Sequence, residues 1–283
     1  MRALSQGAAI TEVGRAEVNG LSLTYELRGS GDPVVLIHWG VAVAWAEPLV
    51  VEPALAEHHR LLTYHRAGFG ESSPVEGAID MADHAEHCRL LMRHLGIERA
   101  HIVGHSSSAV IALQLALHAP DAVHSLTLME AARPVPPTEA QAEFVREYVE
   151  PAVARHRAGD KAAGIDTFFR GVFGTDYRGR LEDGLPGTFD QAVADADAFF
   201  TQELPALQRW SFTREDASRI TQPVLAVLGE QTAPTFPERR DVLLSWLPNV
   251  EPFDLPEATH LLHLQAPQAM AQGLAAFFAR HPL

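Results

Sequence analysis

The sequence lacks several features that whole classes of protein need. Cys88 is the only cysteine, so no disulfide can form within the chain, and nothing points to an oxidising compartment. No uninterrupted apolar run reaches the roughly 18 residues of a membrane-spanning helix, and the amino terminus lacks the apolar core of a signal peptide. We therefore expect a cytoplasmic protein with no membrane partner.

Positive charge is also scarce. The chain has 22 Lys and Arg residues against 36 Asp and Glu residues, which gives a formal net charge of -14. Such a field repels phosphate backbones and anionic lipid surfaces, and no basic cluster offsets it. Nucleic acid is therefore not an expected partner.

Spacings typical of metal ligands are missing as well. The pairs His58 with His59 and His84 with His87 have no further acidic or thiol ligand at a suitable distance along the chain. We interpret them as helix-surface residues and predict neither a metal nor an organic cofactor.

What is present is the composition of a globular protein, with 47% hydrophobic and 20% charged residues. Short apolar runs alternate with segments of helical periodicity over the first half of the chain. The predicted strands are Leu21–Leu27, Val34–Ile37, Leu61–Tyr64, Ala100–Val103 and Ser125–Leu128, and the predicted helices are Ala44–His58, Asp80–Leu95 and Ser107–His118. This rhythm predicts an α/β fold with a mostly parallel sheet flanked by helices.

The alternation is interrupted once and then resumes. Three helical patterns fill the interruption, and two strands and two helices follow it. In chain order these are the helices Glu139–His156, Lys161–Phe173 and Phe189–Leu204, then the strand Val224–Leu228, helix Pro237–Trp246, strand Val250–Phe253 and helix Ala266–Arg280. We predict one core domain, residues 1–133 and 218–283, with an inserted helical cap, residues 134–217.

A candidate nucleophile lies where one predicted strand meets the next helix. The residues from Gly104 to Ser108 read Gly-His-Ser-Ser-Ser, with Ser106 at the centre. A sharp strand-to-helix turn needs small flanking residues because the two backbones approach closely, and it lifts the central hydroxyl clear of the sheet. The segment alone could equally be an ordinary turn capped by serine. As a nucleophile elbow it would also give Ser107 a main-chain N–H for an oxyanion.

Three more segments follow predicted strands in a familiar order. They are Ile37-His38-Trp39-Gly40, the loop from His65 to Ser72 with sequence His-Arg-Ala-Gly-Phe-Gly-Glu-Ser, and Pro256-Glu257-Ala258-Thr259-His260. With the Ser106 segment they resemble the α/β-hydrolase fold family over nearly the whole chain outside the cap. His65 stands where the family usually has aspartate, and Ser108 where it usually has glycine.

The resemblance implies a role for each segment. His260 would be the general base, with His105 and His263 as the nearest competing histidines. A main-chain N–H of Trp39, Gly40 or Val41 would face the oxyanion; we favour Gly40, with Trp39 lining the pocket. His105 would pack beside the nucleophile.

The acid of the triad departs from the family pattern. It usually follows strand seven, where this chain has Thr232, but some members take it from the end of strand six, where this chain has Glu130. Strands six and seven should be neighbours, and the longer glutamate helps to span the strand spacing of about 4.8 Å. We therefore predict Glu130, with Glu230 and Asp254 as alternatives.

Substrate selection would fall to aromatic residues of the cap. We expect most of them to pack in its core and a few to face the pocket, Trp210 among them, beside Trp39 and His105. The set is Phe168, Phe169, Phe173, Tyr177, Phe199, Phe200 and Trp210. The expected substrate is small, uncharged and moderately hydrophobic.

These features together predict a serine hydrolase that cleaves a carboxylic ester or a lactone through an acyl-enzyme. Three alternatives stay open: a carbon–carbon bond hydrolase, a cofactor-free haloperoxidase, and a small-molecule receptor of low turnover. The sequence also leaves open a homodimer formed through the cap.

Overall fold

A single eight-stranded sheet organises the protein. The computed structural model describes residues 10–132 and 138–283, with side chains from residue 12 onward. The strands are β1 (Ile10–Val18), β2 (Leu21–Arg28), β3 (Asp32–Ile37), β4 (His59–Tyr64), β5 (Ala100–His105), β6 (Val123–Met129), β7 (Val224–Gly229) and β8 (Val250–Leu255). They lie in the order β1-β2-β4-β3-β5-β6-β7-β8.

The sheet is mostly parallel, which confirms the predicted fold class. Only β1 with β2 and β2 with β4 pair antiparallel. All other neighbours are parallel, including β6 with β7. The central strands β5 and β7 are buried at every position, as expected for parallel strands covered on both faces. The carboxyl ends of β3, β5, β6, β7 and β8 therefore meet at one edge of the sheet.

Helices of the core domain flank this sheet. They are α1 (Glu47–Val50), α2 (Pro53–Ala56), α3 (Met81–His94) and α4 (Ser107–His118) before the insertion, and α13 (Thr235–Trp246), α14 (Leu262–Gln265) and α15 (Pro267–Arg280) after it. Helix α3 packs on α4, while α15 packs on α1 and α2. One continuous cluster of buried apolar side chains joins them to the strands.

The single helix predicted over Ala44–His58 is wrong. The structure has two four-residue helices there, and each has a proline in its first turn, Pro48 and Pro53. Proline has no N–H to donate and favours the start of a helix, so two prolines five residues apart divide the segment.

Between β6 and β7 the described chain is helical throughout its regular structure. The helices are α5 (Glu139–Phe144), α6 (Glu150–Arg157), α7 (Lys161–Phe173), α8 (Tyr177–Gly184), α9 (Thr188–Ala194), α10 (Ala196–Ala198), α11 (Leu204–Arg209) and α12 (Arg214–Arg219). We call residues 138–219 the helical insertion. The predicted domain boundary at 133/134 lies outside the described residues.

Two π turns interrupt helices that the sequence predicts as continuous. They span Val145–Val149, between α5 and α6, and Phe199–Glu203, between α10 and α11. Pro151 and Pro205 follow these turns closely. Because proline cannot donate to the fourth preceding carbonyl, the backbone widens ahead of it to a five-residue hydrogen-bond step. The second π turn places Glu203 inside the protein.

The interpretation of the paired histidines as helix-surface residues is wrong for three of them. His59, His84 and His87 are buried, and only His58 is exposed. Among the described residues no group of His, Cys, Asp and Glu is arranged to hold a metal ion. In the same ranges, no helix combines the length and apolar character that crossing a membrane requires.

Candidate active site

Ser106 lies in a strained turn between β5 and α4. Its φ of 55° and ψ of -117° are costly for a residue with a side chain. A Cβ on Gly104 would stand 2.5 Å from the carbonyl oxygen of Ser108, so only glycine fits there. Ser106 is partly exposed and contributes to the wall of a cavity, while its neighbours in the turn are buried.

Ser108 fills the position where glycine is usual without leaving a polar group unsatisfied. Its hydroxyl accepts from the N–H of His105 at 2.9 Å and donates to the carbonyl of the same residue at 3.0 Å. The side chain is fully buried and therefore closes the turn from within.

Glu130 and His260 come together across the sheet edge. Oε2 of Glu130 lies 2.5 Å from Nδ1 of His260, and both side chains are buried. The N–H of Gly229, at the end of β7, donates to Oε1 at 2.8 Å, and the hydroxyl of Thr232 donates to Oε2 at 2.9 Å. The residue at the usual acid position thus donates a hydrogen bond to the carboxylate.

The two alternative acids lie elsewhere. Glu230 is exposed to solvent. Asp254 pairs with Arg240 at the half-exposed end of β8. Among the described carboxylates, only Glu130 contacts the imidazole of His260.

His260 packs between two rings, and one of its own ring nitrogens has no hydrogen-bond partner among the described residues. The ring of Phe236 stacks on that of His260 with centroids 4.3 Å apart. The ring of His105 is tilted by 39° to that of His260, with centroids 4.4 Å apart. Nε2 is buried and has no hydrogen-bond partner among the described residues. Nδ1 bonded to a carboxylate and Nε2 left free is the arrangement of a general base.

The two competing histidines are unsuited to that role. Burial holds the pKa of His105 well below its ordinary value, helped by the neighbouring His260 and His263. Burial likewise lowers the pKa of His263 to about 3. Neither ring contacts a carboxylate among the described residues, and His263 packs edge-on against Trp45 at 5.4 Å.

Two residues predicted for the pocket do not line it. His105 is fully buried beneath the rings of Trp39 and His260. Trp210 stacks on Phe212 at 5.5 Å and donates from Nε1 to Gln114 at 2.8 Å, away from the cavity. An indole N–H that already has a partner on another helix anchors the side chain there.

The main-chain N–H of Gly40 has a partner that the sequence did not indicate. It donates to the hydroxyl of Ser107 at 3.1 Å, so the expectation that it faces the oxyanion directly is wrong for this structure. Gly40, Ser107 and Trp39 all line the cavity beside Ser106. The Ser107 hydroxyl accepts this hydrogen bond through its oxygen, so its own proton stays available to donate to another group.

The cavity above Ser106 is largely apolar. Its volume is about 100 Å³, below the roughly 300 to 1,000 Å³ of typical small-molecule sites. Of the seven aromatic residues predicted for the cap, only Phe168 and Phe199 line it. Phe169, Phe173 and Tyr177 pack against one another, Phe200 packs on Phe199, and Trp210 stacks on Phe212. The insertion supplies most of the wall, through Phe144, Val145, Val149, Phe168, Val172 and Phe199.

Sequence reasoning missed most of these lining residues. Val145 with Val149, and Phe168 with Val172, stand four residues apart on one helix face, which is the available signal. Phe236 and Arg239 come from the start of α13 in the core domain. No spacing in the sequence relates them to Ser106.

Comparison with known proteins decides the family. A family model described as alpha/beta hydrolase fold matches residues 32–267. The chain belongs to the α/β-hydrolase fold family. Among solved structures of this fold, an enol-lactonase from Burkholderia xenovorans LB400 superposes with a TM-score of 0.81 at 23% identity, covering 94% of this chain and 100% of the other. Naproxen esterase from Bacillus subtilis superposes with a TM-score of 0.76 at 18% identity, covering 96% and 93%.

The curated relatives of the chain carry diverse names. A putative non-heme bromoperoxidase from Mycobacterium tuberculosis is 27% identical over 274 residues, 92% of this chain and 98% of its own. The acetyltransferase component of an acetoin cleaving system from Pseudomonas putida is 28% identical over 274 residues, 94% of this chain and 69% of its own. These identities do not distinguish one reaction from another.

The departure at His65 from the family pattern also has a structural explanation. Its Nδ1 accepts the N–H of Glu71 at 3.1 Å, as a carboxylate oxygen of aspartate could. Burial lowers the pKa of His65, which favours the neutral ring that can accept. His65 therefore supplies a hydrogen-bond acceptor within this loop.

Proposed function

We propose that this α/β-hydrolase is a serine hydrolase that cleaves a carboxylic ester or a lactone through a Ser106–His260–Glu130 triad. The observation that carries the proposal is the buried contact of 2.5 Å between Glu130 and His260, made where neighbouring strands end beside the strained turn of Ser106. A carboxylate on Nδ1 keeps the proton there, so that Nε2 can accept one from the serine.

The reaction begins with transfer of the Ser106 hydroxyl proton to Nε2 of His260. The serine Oγ then bonds to the substrate carbonyl carbon, and the carbonyl oxygen becomes an oxyanion. Collapse breaks the bond to the leaving alcohol, which takes the proton back from Nε2. Water then gives a proton to Nε2 of His260 while its oxygen bonds to the acyl carbon. The bond from that carbon to Oγ of Ser106 breaks, Oγ takes the proton back from Nε2, and the acid leaves. In a lactone, the alcohol and the acid stay in one product.

Two donors on Ser107 can stabilise the oxyanion. Its main-chain N–H is the first of α4, where free N–H groups and the helix dipole favour negative charge. Its hydroxyl accepts from Gly40, so its remaining proton can point into the cavity. Gly40 acts through this hydroxyl in the arrangement we propose.

The helical insertion serves as the cap over this site in our proposal. Its apolar wall favours a small, moderately hydrophobic and uncharged acyl or alcohol group. Esterase and lactonase activities of proteins with the same fold are consistent with this substrate class. The homodimer and the cytoplasmic location stay predictions.

The decisive experiment is hydrolysis of p-nitrophenyl acetate and butyrate by the purified protein and by Ser106→Ala. A fluorophosphonate probe is run alongside, because it labels an activated serine without needing the natural substrate. We expect turnover and labelling of the wild type and neither for the variant. Equal behaviour of the two proteins would refute Ser106 as the nucleophile.

A second candidate reaction has one specific observation in its favour. The relative from Mycobacterium tuberculosis, which aligns over nearly its whole length, is named a putative non-heme bromoperoxidase. We propose as the alternative activity the bromination of an organic acceptor, with bromide as the bromine source and hydrogen peroxide as the oxidant that is reduced to water. A peroxide-dependent bromination rate well above the rate of ester hydrolysis would favour it.

A further inference from the structure

A fully buried ion pair joins the helical insertion to the core domain near the proposed active site. Arg66, in the loop after β4, donates from Nη2 to Oε2 of Glu203 at 2.5 Å. The two side chains are 1% and 0% exposed. Glu203 lies in the π turn Phe199–Glu203, and 137 residues separate the partners along the chain. The pair is therefore a tertiary contact between two parts of the fold.

Arg66 holds His38 by both its side chain and its backbone. Its Nε donates to the carbonyl of His38 at 2.6 Å, and its main-chain N–H donates to Nδ1 of His38 at 3.3 Å. The guanidinium lies over the ring of Phe69 at 4.7 Å, and that ring meets His38 edge-on at 5.3 Å. Burial lowers the pKa of His38, so its neutral ring can accept the hydrogen bond.

His38 begins the segment His38–Gly40, which we call the oxyanion loop. At the other end of this loop, the N–H of Gly40 donates to the hydroxyl of Ser107. Trp39, between them, lines the cavity and faces His260 at 6.0 Å. The loop is thus fixed at one end by Arg66 and at the other by the residue next to the nucleophile.

We propose that Glu203 is a positioning residue for the oxyanion loop and acts through Arg66. The carboxylate from the insertion orients the guanidinium so that its Nε holds the His38 carbonyl, which sets the position of Gly40 beside Ser106. This inference rests on the proposed hydrolase function, in which the loop borders the oxyanion.

Stability alone is a weak explanation for this ion pair. Removing two charges from water costs about as much as their attraction returns, and apolar side chains of similar volume often serve equally well. Nη1 of Arg66, Oε1 of Glu203 and Nε2 of His38 are also buried without a partner among the described residues. Such groups cost stability, whereas the directional bond from Nε to His38 gives the loop a defined geometry.

Three variants separate positioning from stability. Glu203→Leu leaves the guanidinium of Arg66 buried and unpaired, so it should lower the melting temperature. Arg66→Met/Glu203→Leu removes both charges and should recover that temperature, but it also removes the Nε donor to the His38 carbonyl, leaving only the main-chain N–H of residue 66 on Nδ1 of His38. Glu203→Gln keeps a hydrogen-bond acceptor for Arg66 and should retain more activity than Glu203→Leu.

A matched control tests whether any link from the insertion has the same effect. Arg209 of α11 pairs with Asp80 at 2.6 Å, which also ties the insertion to the core domain, but both side chains are at least half exposed. Arg209 makes no contact with His38. Arg209→Gln should therefore leave kcat unchanged.

The readouts are kcat and KM for p-nitrophenyl butyrate, the rate of fluorophosphonate labelling, and hydrogen exchange of peptides covering residues 36–43. For the double variant we expect a recovered melting temperature, little change in KM and faster exchange in the oxyanion loop. We expect its kcat to be lower by about 10- to 100-fold, because a small displacement of catalytic groups has effects of this size.

Two outcomes would overturn the proposal. In the first, the double variant recovers kcat together with its melting temperature and shows unchanged exchange, so the pair only stabilises the fold. In the second, Arg209→Gln lowers kcat as much as Glu203→Leu. If the wild type neither turns over nor is labelled, the hydrolase function fails, and hydrogen exchange of the loop still decides whether Glu203 positions it.

Discussion

Replacing Glu130 by glutamine tests the proposed acid, because the structure limits what an amide can do there. The two carboxylate oxygens meet three donors in a buried site: the N–H of Gly229 on Oε1, and the hydroxyl of Thr232 and Nδ1 of His260 on Oε2. A carboxylate accepts from all three. Glutamine has one oxygen and one NH₂ group, so in either orientation the NH₂ faces a group that donates to the carboxylate in the wild type.

Each orientation of the amide has a definite consequence. With the glutamine oxygen on His260, its NH₂ faces the N–H of Gly229 at a site where the present distance is 2.8 Å. With the oxygen on Gly229, the NH₂ faces Nδ1 of His260 and places the imidazole proton on Nε2. That tautomer cannot accept a proton from Ser106. The first orientation costs stability, and the second costs catalysis.

We expect kcat to fall by about 10²- to 10⁴-fold. The upper figure is the effect of the corresponding substitution in a serine protease. This range corresponds to a loss of about 2.7 to 5.4 kcal/mol of transition-state stabilisation. The assay is steady-state hydrolysis of p-nitrophenyl butyrate at pH 7 to 8, with circular dichroism to confirm folding. We expect KM to change little.

Thr232→Ala is the matched control for this substitution. It removes one hydrogen bond from an uncharged donor to the same carboxylate, worth about 1.5 to 3 kcal/mol of stability, but it leaves that carboxylate on Nδ1 of His260, so kcat should fall far less than for Glu130→Gln. A Glu130→Gln protein that is folded and turns over at near the wild-type rate would refute Glu130 as the acid of the triad.

Three further predictions concern other parts of the site. Ser107→Ala should lower kcat about 10-fold or more in the same assay if its hydroxyl meets the oxyanion; an unchanged rate would mean that the freed N–H of Gly40 serves as well. Gly104→Ala should destabilise the protein to urea by about 1 to 3 kcal/mol, since the new Cβ overlaps backbone atoms of α4, and unaltered unfolding would contradict the close approach. Burial lowers the folded-state pKa of His263 from 6.5 to about 3, so between these values the unfolded chain binds the extra proton and the free energy of unfolding falls as the pH falls. His263→Phe should make that decline shallower in urea titrations at pH 7 and pH 5, and an unaltered slope would count against a neutral buried imidazole.

The parallel sheet was predictable because its strands follow from local sequence patterns. The site was predictable in part because its segments lie at the ends of those strands. Short apolar runs that alternate with segments of helical periodicity located all the parallel strands. The order of the segments around Ser106 and His260 indicated the family. Glu130 could be selected because the prediction also required β6 to lie beside β7, which the sheet confirms. Its contact with His260 then follows from the position of two strand ends.

The failures at the site have a common physical origin in contacts between distant residues. Trp210 was expected in the pocket because it is a large aromatic residue of the predicted cap, but the choice of Gln114 as its partner depends on how two helices meet. The N–H of Gly40 turns to the side chain of Ser107, which main-chain motifs do not describe. Arg66 and Glu203 show no relation in the sequence at all.

The position of the acid illustrates how the sheet edge, and not a motif position, governs this chemistry. The N–H of Glu130 still bonds to the carbonyl of Val227 on β7, while its φ of 45° turns the chain out of the sheet and directs the side chain across the end of that strand. The end of β7 supplies two hydrogen-bond donors to this carboxylate, the N–H of Gly229 and the hydroxyl of Thr232. Either strand end could therefore carry the carboxylate for His260, provided that the other supplies the donors that keep it in place.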